Sequence, residues 1–498
     1  MSNSIGMMAP AILAACLAAP AMAQVTPEEV WQGWQKMGAS YGQAIIADQV
    51  VRDGDTLVVS GMNLSMDQDG AQIEGSIDEV RFRDRGDGTV EITMTDSYAI
   101  DMALASDDGT SQSVTITMTQ PGMTLIAGGS ATQTSYDFDA PSVEMAMTVT
   151  EDAEPQADVQ ATLTGLSGKY LVDTQESSTV LDSTLAVEGL TFEVAAGDDT
   201  NGATVGGTLE ALKMASSGTF LGVEAMDDVA QALRDGFSAN TDFSFGKGNY
   251  SIDVLEAGAA SKIVTSNETG HFRLAMNEGG LQYGAGGTGV AMTITGGDIP
   301  FPEVKLTYAE ASFDFLMPLL ASDTPTDFSF LTRIVDLTVS DEIWAMFDPT
   351  VALPRAPATL VLDTKGKVRL TSDLVDEEEM AALGEAAPGE IHALDLTDLT
   401  VKFAGAELNG TGAMTFDNSD TTSFDGIPAP TGKIDLVIRG GNALLDKLVT
   451  MGVIPQDQAM GTRMMIAMFA KPGEGTDVLN SSLEFRDKAF FANGQRLK

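Results

Sequence analysis

Leu399–Phe416, LTVKFAGAELNGTGAMTF, decides the class of fold. Leu399, Val401 and Phe403 fall on one side of an alternating run. Gly405-Ala406 supplies a corner, and an alternating return run follows. Period-two alternation around a glycine corner predicts an antiparallel β-hairpin with one covered and one wet face. The central string Gly405–Gly410 has the form Gly-Ala-x-aliphatic-x-Gly. The same form occurs at Gly70–Gly75 and Gly202–Gly207. The spacing is too wide and uneven for a solenoid of short repeats, so the three strings read as related sheet modules. The inner face of the hairpin, Leu399, Val401 and Phe403, is where function is expected.

The same alternation spreads outward from that hairpin. Val114–Thr119 and Val143–Thr150 place Val, Ile and Met on one side and Thr, Glu and other small or polar residues on the other. Asp53-Gly54-Asp55, Asp69-Gly70, Gly86-Asp87-Gly88 and Asp108-Gly109 supply turns. Helices are expected in a few places only. Thr26-Pro27-Glu28-Glu29 is a capping box that opens a helix to about Gln43, with Trp31, Trp34 and Tyr41 on a face that seals one end of the sheet. Val223–Arg234 reads as one amphipathic helix. Asn442–Met451 and Gln456–Ala470 read as a helix pair packing Leu445, Leu448, Met460, Met464, Met465 and Met468. The expected fold class is mainly β with minor α: extended, twisted antiparallel sheet with packing helices at the N-terminus, middle and C-terminus. Ile299-Pro300-Phe301-Pro302 suggests a boundary, dividing the chain into 1–23, 24–298 and 299–498.

The first 23 residues carry no charged side chain, and Ala21-Met22-Ala23 precedes Gln24. This predicts an export signal cleaved between Ala23 and Gln24 and a periplasmic protein. A second reading competes: Leu13-Ala14-Ala15-Cys16 matches a lipobox, which would anchor the protein through Cys16. Cys16 is the only cysteine, so Ala-x-Ala cleavage would leave no thiol chemistry in the mature chain. No later apolar run reaches membrane-span length. The net charge of −45, from 72 acidic and 27 basic residues, disfavours nucleic acid as a partner.

Reactive motifs are scarce. The two histidines, His271 and His392, stand far apart with no motif around either, and no phosphate-cradling loop or dinucleotide fingerprint occurs. Asp67–Gly70 and Asp84–Gly88 resemble fragments of calcium loops but lack a closing Glu, so hairpin turns explain them better. No catalytic, metal or cofactor residue is therefore assigned, and the protein is expected not to be an enzyme. Methionine is the unusual feature: 22 of the 26 follow residue 23, many on the apolar side of strands. Met makes adaptable apolar surface, able either to form core under covering helices or to line a face for an acyl chain.

Thr26–Trp31, Arg81–Val90, Asp348-Pro349-Thr350 with Leu353-Pro354-Arg355, and Ile427–Arg439 together resemble a domain-of-unknown-function family, number 2125, of exported alphaproteobacterial proteins. The resemblance extends over nearly all of the chain after residue 23. It implies export and a shared fold and supplies no catalytic residues. More loosely, strand repeats with terminal helices look like the large envelope proteins whose long curved β-sheets shield lipid. The expectation is a non-catalytic module binding lipid or another apolar envelope ligand. The alternatives are a structural or protein-interaction component of the envelope with a closed core and an unknown protein partner and, last, a carboxylate-based hydrolase.

Overall fold

A computed structural model of the chain describes residues 24–498, except 41, 69–70, 106–110, 131, 153, 199, 298 and 385. Cys16, Ala23, Tyr41 and the turns at Asp69-Gly70 and Asp108-Gly109 lie outside the described residues. The fold is mainly β with minor α, and the 26 strands among the described residues form one antiparallel sheet. They follow one another as an up-and-down meander. Gln133–Glu151 pairs with Glu154–Thr174, that with Thr179–Gly197, and that with Gly202–Phe220. Several ribs are single strands interrupted near their midpoints. Ser238–Phe245 and Gly248–Glu256 together line one side of Gly202–Phe220, for example. Sequence-adjacent pairing of this kind needs only tight turns.

The ladder continues across Ile299–Pro302, because Gly280–Gly296 pairs with Val304–Met317. The division expected there is not marked by any break in the sheet. The opening hairpin is present as Gly389–Phe403 and Ala406–Asp417, with Phe403 opposite Ala406. Its corner is Ala404-Gly405, both at positive φ (49° and 85°), one residue earlier than the sequence suggested. This is the twist-matched two-residue turn favoured in hairpins.

A crease runs across the sheet. Gly61, Gly165, Ala211, Gly289 and Asp336 sit in mid-strand with φ between 53° and 62°. Around them the inward-facing position recurs after three residues instead of two: Val59 then Met62, Leu163 then Leu166, Leu209 then Leu212. A left-handed residue bends a strand sharply. Here the bend leaves the apolar side chains of both half-strands on the same side. Ala140, Val143, Leu166, Val187 and Leu212 are buried together, with Leu163, Leu190 and Leu209 packed against them. These residues come from both sides of the crease, so the sheet is folded with its apolar face inward. Carboxylates stand on the outer side. A Cβ at Gly61 would meet Asp48, one at Gly165 would meet Glu188, and one at Gly289 would meet Glu268.

Six α-helices occur among the described residues. Helix α1 (Pro27–Ser40) begins with the expected capping box: the Glu29 amide donates to Thr26 Oγ1 at 3.3 Å and the Thr26 amide to Glu29 Oε2 at 2.9 Å. Its Val30 and Trp31 pack on Leu57, Val59, Val80, Phe82 and Ile92, sealing the first end of the creased sheet. The Trp34 and Phe82 rings meet edge-on at 5.2 Å. The helix expected over Val223–Arg234 is instead a 3-10 turn, Val223–Asp227, followed by α2 (Val229–Arg234). Asp228 breaks it, because its carboxylate accepts from the Gln231 amide at 2.9 Å and starts a new helix. Helices α3 (Asp341–Phe347), α5 (Gly441–Thr450) and α6 (Gln456–Phe469) cluster near the other end, and α4 (Glu377–Leu383) lies between α3 and α5 in sequence. Leu444 and Leu448 of α5 pack on Trp344, Leu353 and Ala404. The methionines of α6 were expected to pack with them and do not: Met460, Met464, Met465 and Met468 are all exposed.

Candidate functional site

Register shows what the inward face is made of. Directly opposed residues share one face of an antiparallel ladder. One such line runs Ile45, Leu64, Gly75, Ile100, Ile116, Met147, Val159, Val194, Val205, Ile252, Ile263, Ile294, Val304. A single glycine interrupts it. On the other flank of the crease a second line runs Leu57, Phe82, Ile92, Leu125, Phe138, Gly168, Leu185, Met214, Phe243, Phe272, Ala285, Phe313. At about 4.8 Å per strand, the first line is about 60 Å long.

The two lines border an apolar trough along the inside of the crease. Helix α1 closes one end. Helix α2 covers part of a rim, where Ala230, Leu233, Leu319 and Leu320 pack on Phe220, Met276 and Leu281. Between these covers the inner face stays partly open. Val254 is 38% exposed, Leu274 41%, Phe313 37% and Met317 40%.

Within the trough, the crease forms a cavity of about 420 Å³ bordered by Phe245, Tyr250, Asn267, Val290, Tyr308 and Ile334. A larger concavity, about 810 Å³, lies on the outer face, where Lys213, Asp242, His271, Arg273 and Asp314 border it. Arg273 already pairs with Asp242 at 2.5 Å, so this surface resembles the solvated side of the sheet more than a site. The inner face is the stronger candidate. Large continuous apolar surface is what a folded chain exposes only where something binds.

The residues singled out from sequence fall as follows. Leu399 lies opposite Leu362 and Gly410, on the inward face. Phe403, 44% exposed, lies at the far end, its ring nearly parallel to that of Trp344 at 6.2 Å. The closing glycines of the three Gly-Ala-x-aliphatic-x-Gly strings share one role. Gly75 lies between Leu64 and Ile100, Gly207 between Phe192 and Tyr250, and Gly410 between Leu399 and Leu436. Each leaves room for large apolar neighbours; a Cβ at Gly207 would stand 2.6 Å from the Tyr250 Cβ. His271 is exposed on the outer face, and His392 lies 3.7 Å from Glu390 on a strand five ribs away. The structure does not bring them together.

Asp84 and Asp87 serve the turn. Asp84 accepts from the Gly86 amide at 2.8 Å and Asp87 from the Thr89 amide at 3.1 Å. The Thr89 hydroxyl and amide hold the Asp87 carboxyl below the usual range. Among the described residues, no group of three or more His, Cys, Asp or Glu is placed to hold a metal, and no helix is long and apolar enough to cross a membrane. The crease cavity and Asn267 within it were missed from sequence. The signal was present as a polar residue in the apolar-face position of the strand Ala259–Asn267.

No curated protein and no solved structure matches the chain. A family model does, over residues 254–497. The strings at Asp348–Arg355 and Ile427–Arg439 lie inside that span, while Thr26–Trp31 and Arg81–Val90 lie outside it, so the match is narrower than the near-complete one the sequence suggested. That stretch is just under half of the chain's length, and the family it matches is described as an uncharacterized protein conserved in bacteria, DUF2125.

Proposed function

We propose that the protein is a non-catalytic carrier or shield for an apolar ligand, with the acyl chains of an envelope lipid as the favoured occupant, held along the creased inner face. The observation that supports this most directly is the pair of apolar register lines, each interrupted by a single glycine and left partly exposed between α1 at one end and α2 on the rim. An alkyl chain gains roughly 0.8 kcal/mol for each methylene removed from water, and a trough about 60 Å long offers room for more than one chain. The reading includes export to the periplasm, with cleavage after Ala23, or anchoring through Cys16 as its alternative. The acidic outer surface keeps such a protein soluble and repels anionic headgroups.

The test is uptake of a fluorescent fatty acid and native mass spectrometry of the purified protein. A bound lipid or saturable uptake is expected. Val194→Asp, in the middle of one apolar line, is expected to weaken uptake at least about tenfold, since a carboxylate there must stay hydrated. Its side chain is only half-buried, so the fold is expected to survive. No co-purifying lipid and no uptake by the unaltered protein would refute the reading. The alternative, a structural envelope component, predicts that result together with capture of a protein partner.

A further inference from the structure

The crease cavity contains a polar group that the apolar trough does not explain. Asn267 is 7% exposed, and neither its Nδ2 nor its Oδ1 has a hydrogen-bond partner. It sits opposite Gly248, where a Cβ would collide with the amide oxygen. The side chain therefore lies flat over the glycine on the inward face, bordering the 420 Å³ cavity with Phe245, Tyr250, Val290 and Tyr308. A buried amide left unpaired costs stability. A chain that keeps one in the middle of an apolar surface pays that cost for a reason the fold alone does not supply.

We propose, building on the trough reading, that Asn267 binds the polar end of the apolar ligand and selects a terminus with a hydrogen-bond donor and an acceptor side by side. A primary carboxamide and a protonated carboxyl group both have this arrangement. Each can pair with the Asn side chain in a ring, its carbonyl accepting from Nδ2 and its N–H or O–H donating to Oδ1. An ester can only accept, and an alkane can do neither. A charged head is disfavoured, because the largely apolar border gives it little to replace its hydration; Arg333, at the edge of the cavity, is paired with Glu310 at 3.1 Å through one of its nitrogens. The phenol of Tyr308 is pushed up by burial, and further by Tyr250, so it too remains an uncharged partner.

The experiment compares hexadecanamide, methyl hexadecanoate and hexadecane as competitors for a bound fluorescent alkyl probe, with the full-length protein and Asn267→Leu. Wild type is expected to prefer the amide over the ester by about tenfold, the worth of one further hydrogen bond. Asn267→Leu is expected to bind all three alike and to melt at a higher temperature, since it removes a buried unpaired amide. A purely structural asparagine would lose stability instead. Hexadecanoic acid serves as a fourth arm: its binding is expected to strengthen as the pH falls through its own titration and the acid becomes protonated, while binding of the amide does not change. Equal binding of amide and ester by wild type, a measurement that needs no variant, would overturn the inference and leave the trough reading intact. Failure of all four to compete would overturn both.

Discussion

Replacing Gly165 by Ala tests the crease directly. In a regular strand, Gly→Ala stabilises by about 0.4–1 kcal/mol, because the unfolded chain loses freedom. Gly165 has φ near 60°, where an L-residue with a Cβ is strained by roughly 1–2 kcal/mol. The new Cβ would stand 2.5 Å from Glu188 Cγ and 2.6 Å from its Cδ. Glu188 is exposed and can turn outward at little cost. The strain outweighs the entropy gain, and a net loss of about 1 kcal/mol is expected. Ala211, in the next-but-one strand of the same crease at φ 53°, predicts the converse: Ala211→Gly is expected to gain about 0.5–1 kcal/mol by the same two terms. Gly33, inside α1 with nothing within 4 Å of its Cβ position, is the control. Gly33→Ala is expected to stabilise by just under about 1 kcal/mol. The assay is the urea midpoint followed by circular dichroism, with hydrogen exchange over residues 133–220 reporting the local change. If Gly165→Ala stabilises as Gly33→Ala does, the strand does not bend there and the folded, inward-facing trough is wrong.

Three further outcomes follow from other parts of the structure. Asp348 is completely buried and accepts from the Ala352 and Leu353 amides at 2.9 Å each. Burial pushes its carboxyl up, but those amides, the Thr350 hydroxyl and Arg355 together outweigh it and leave it lowered. A depressed folded-state value contributes stability at pH values above the ordinary Asp range, and that contribution is lost as the pH falls through the folded value. Trp344 fluorescence on acid titration is expected to show this loss, and Asp348→Ala to remove that limb. Asp373 joins Arg234 of α2 at 2.6 Å to the Ala321 amide at 2.7 Å; Asp373→Ala is expected to cost about 1 kcal/mol by removing these bonds, one of them to an exposed guanidinium, read as a lower urea midpoint. Brief peroxide treatment followed by peptide mass spectrometry is expected to oxidise Met460, Met464, Met465 and Met468 well before buried Met62; equal rates would place the α6 methionines in a core.

The parts legible in sequence were those governed by neighbours along the chain. Alternation over Val143–Thr150 marked a strand because successive side chains must point to opposite faces. Thr26–Glu29 marked the start of α1 because its capping bonds close within one turn. Ala404-Gly405 was misplaced by one residue because both central positions of such a turn must take positive φ, and the notation Gly-Ala hid an alanine doing so. The helix expected over Val223–Arg234 failed at Asp228, where a local capping bond competed successfully with continued helix.

Sequence by itself thus determined the strands, most of their turns, the acidic surface and the shortage of reactive motifs, since each depends on residue type and short spacing. Only the tertiary structure decided that Leu163 and Leu166, or Leu209 and Leu212, face the same way. A crease depends on left-handed residues lining up across many strands, and that alignment exists only once register is set. For the same reason the apolar faces became one long trough, and Asn267 became an unpaired amide within it. Whether an apolar face is covered is a property of the elements that pack on it from far along the chain, not of the strand that carries it.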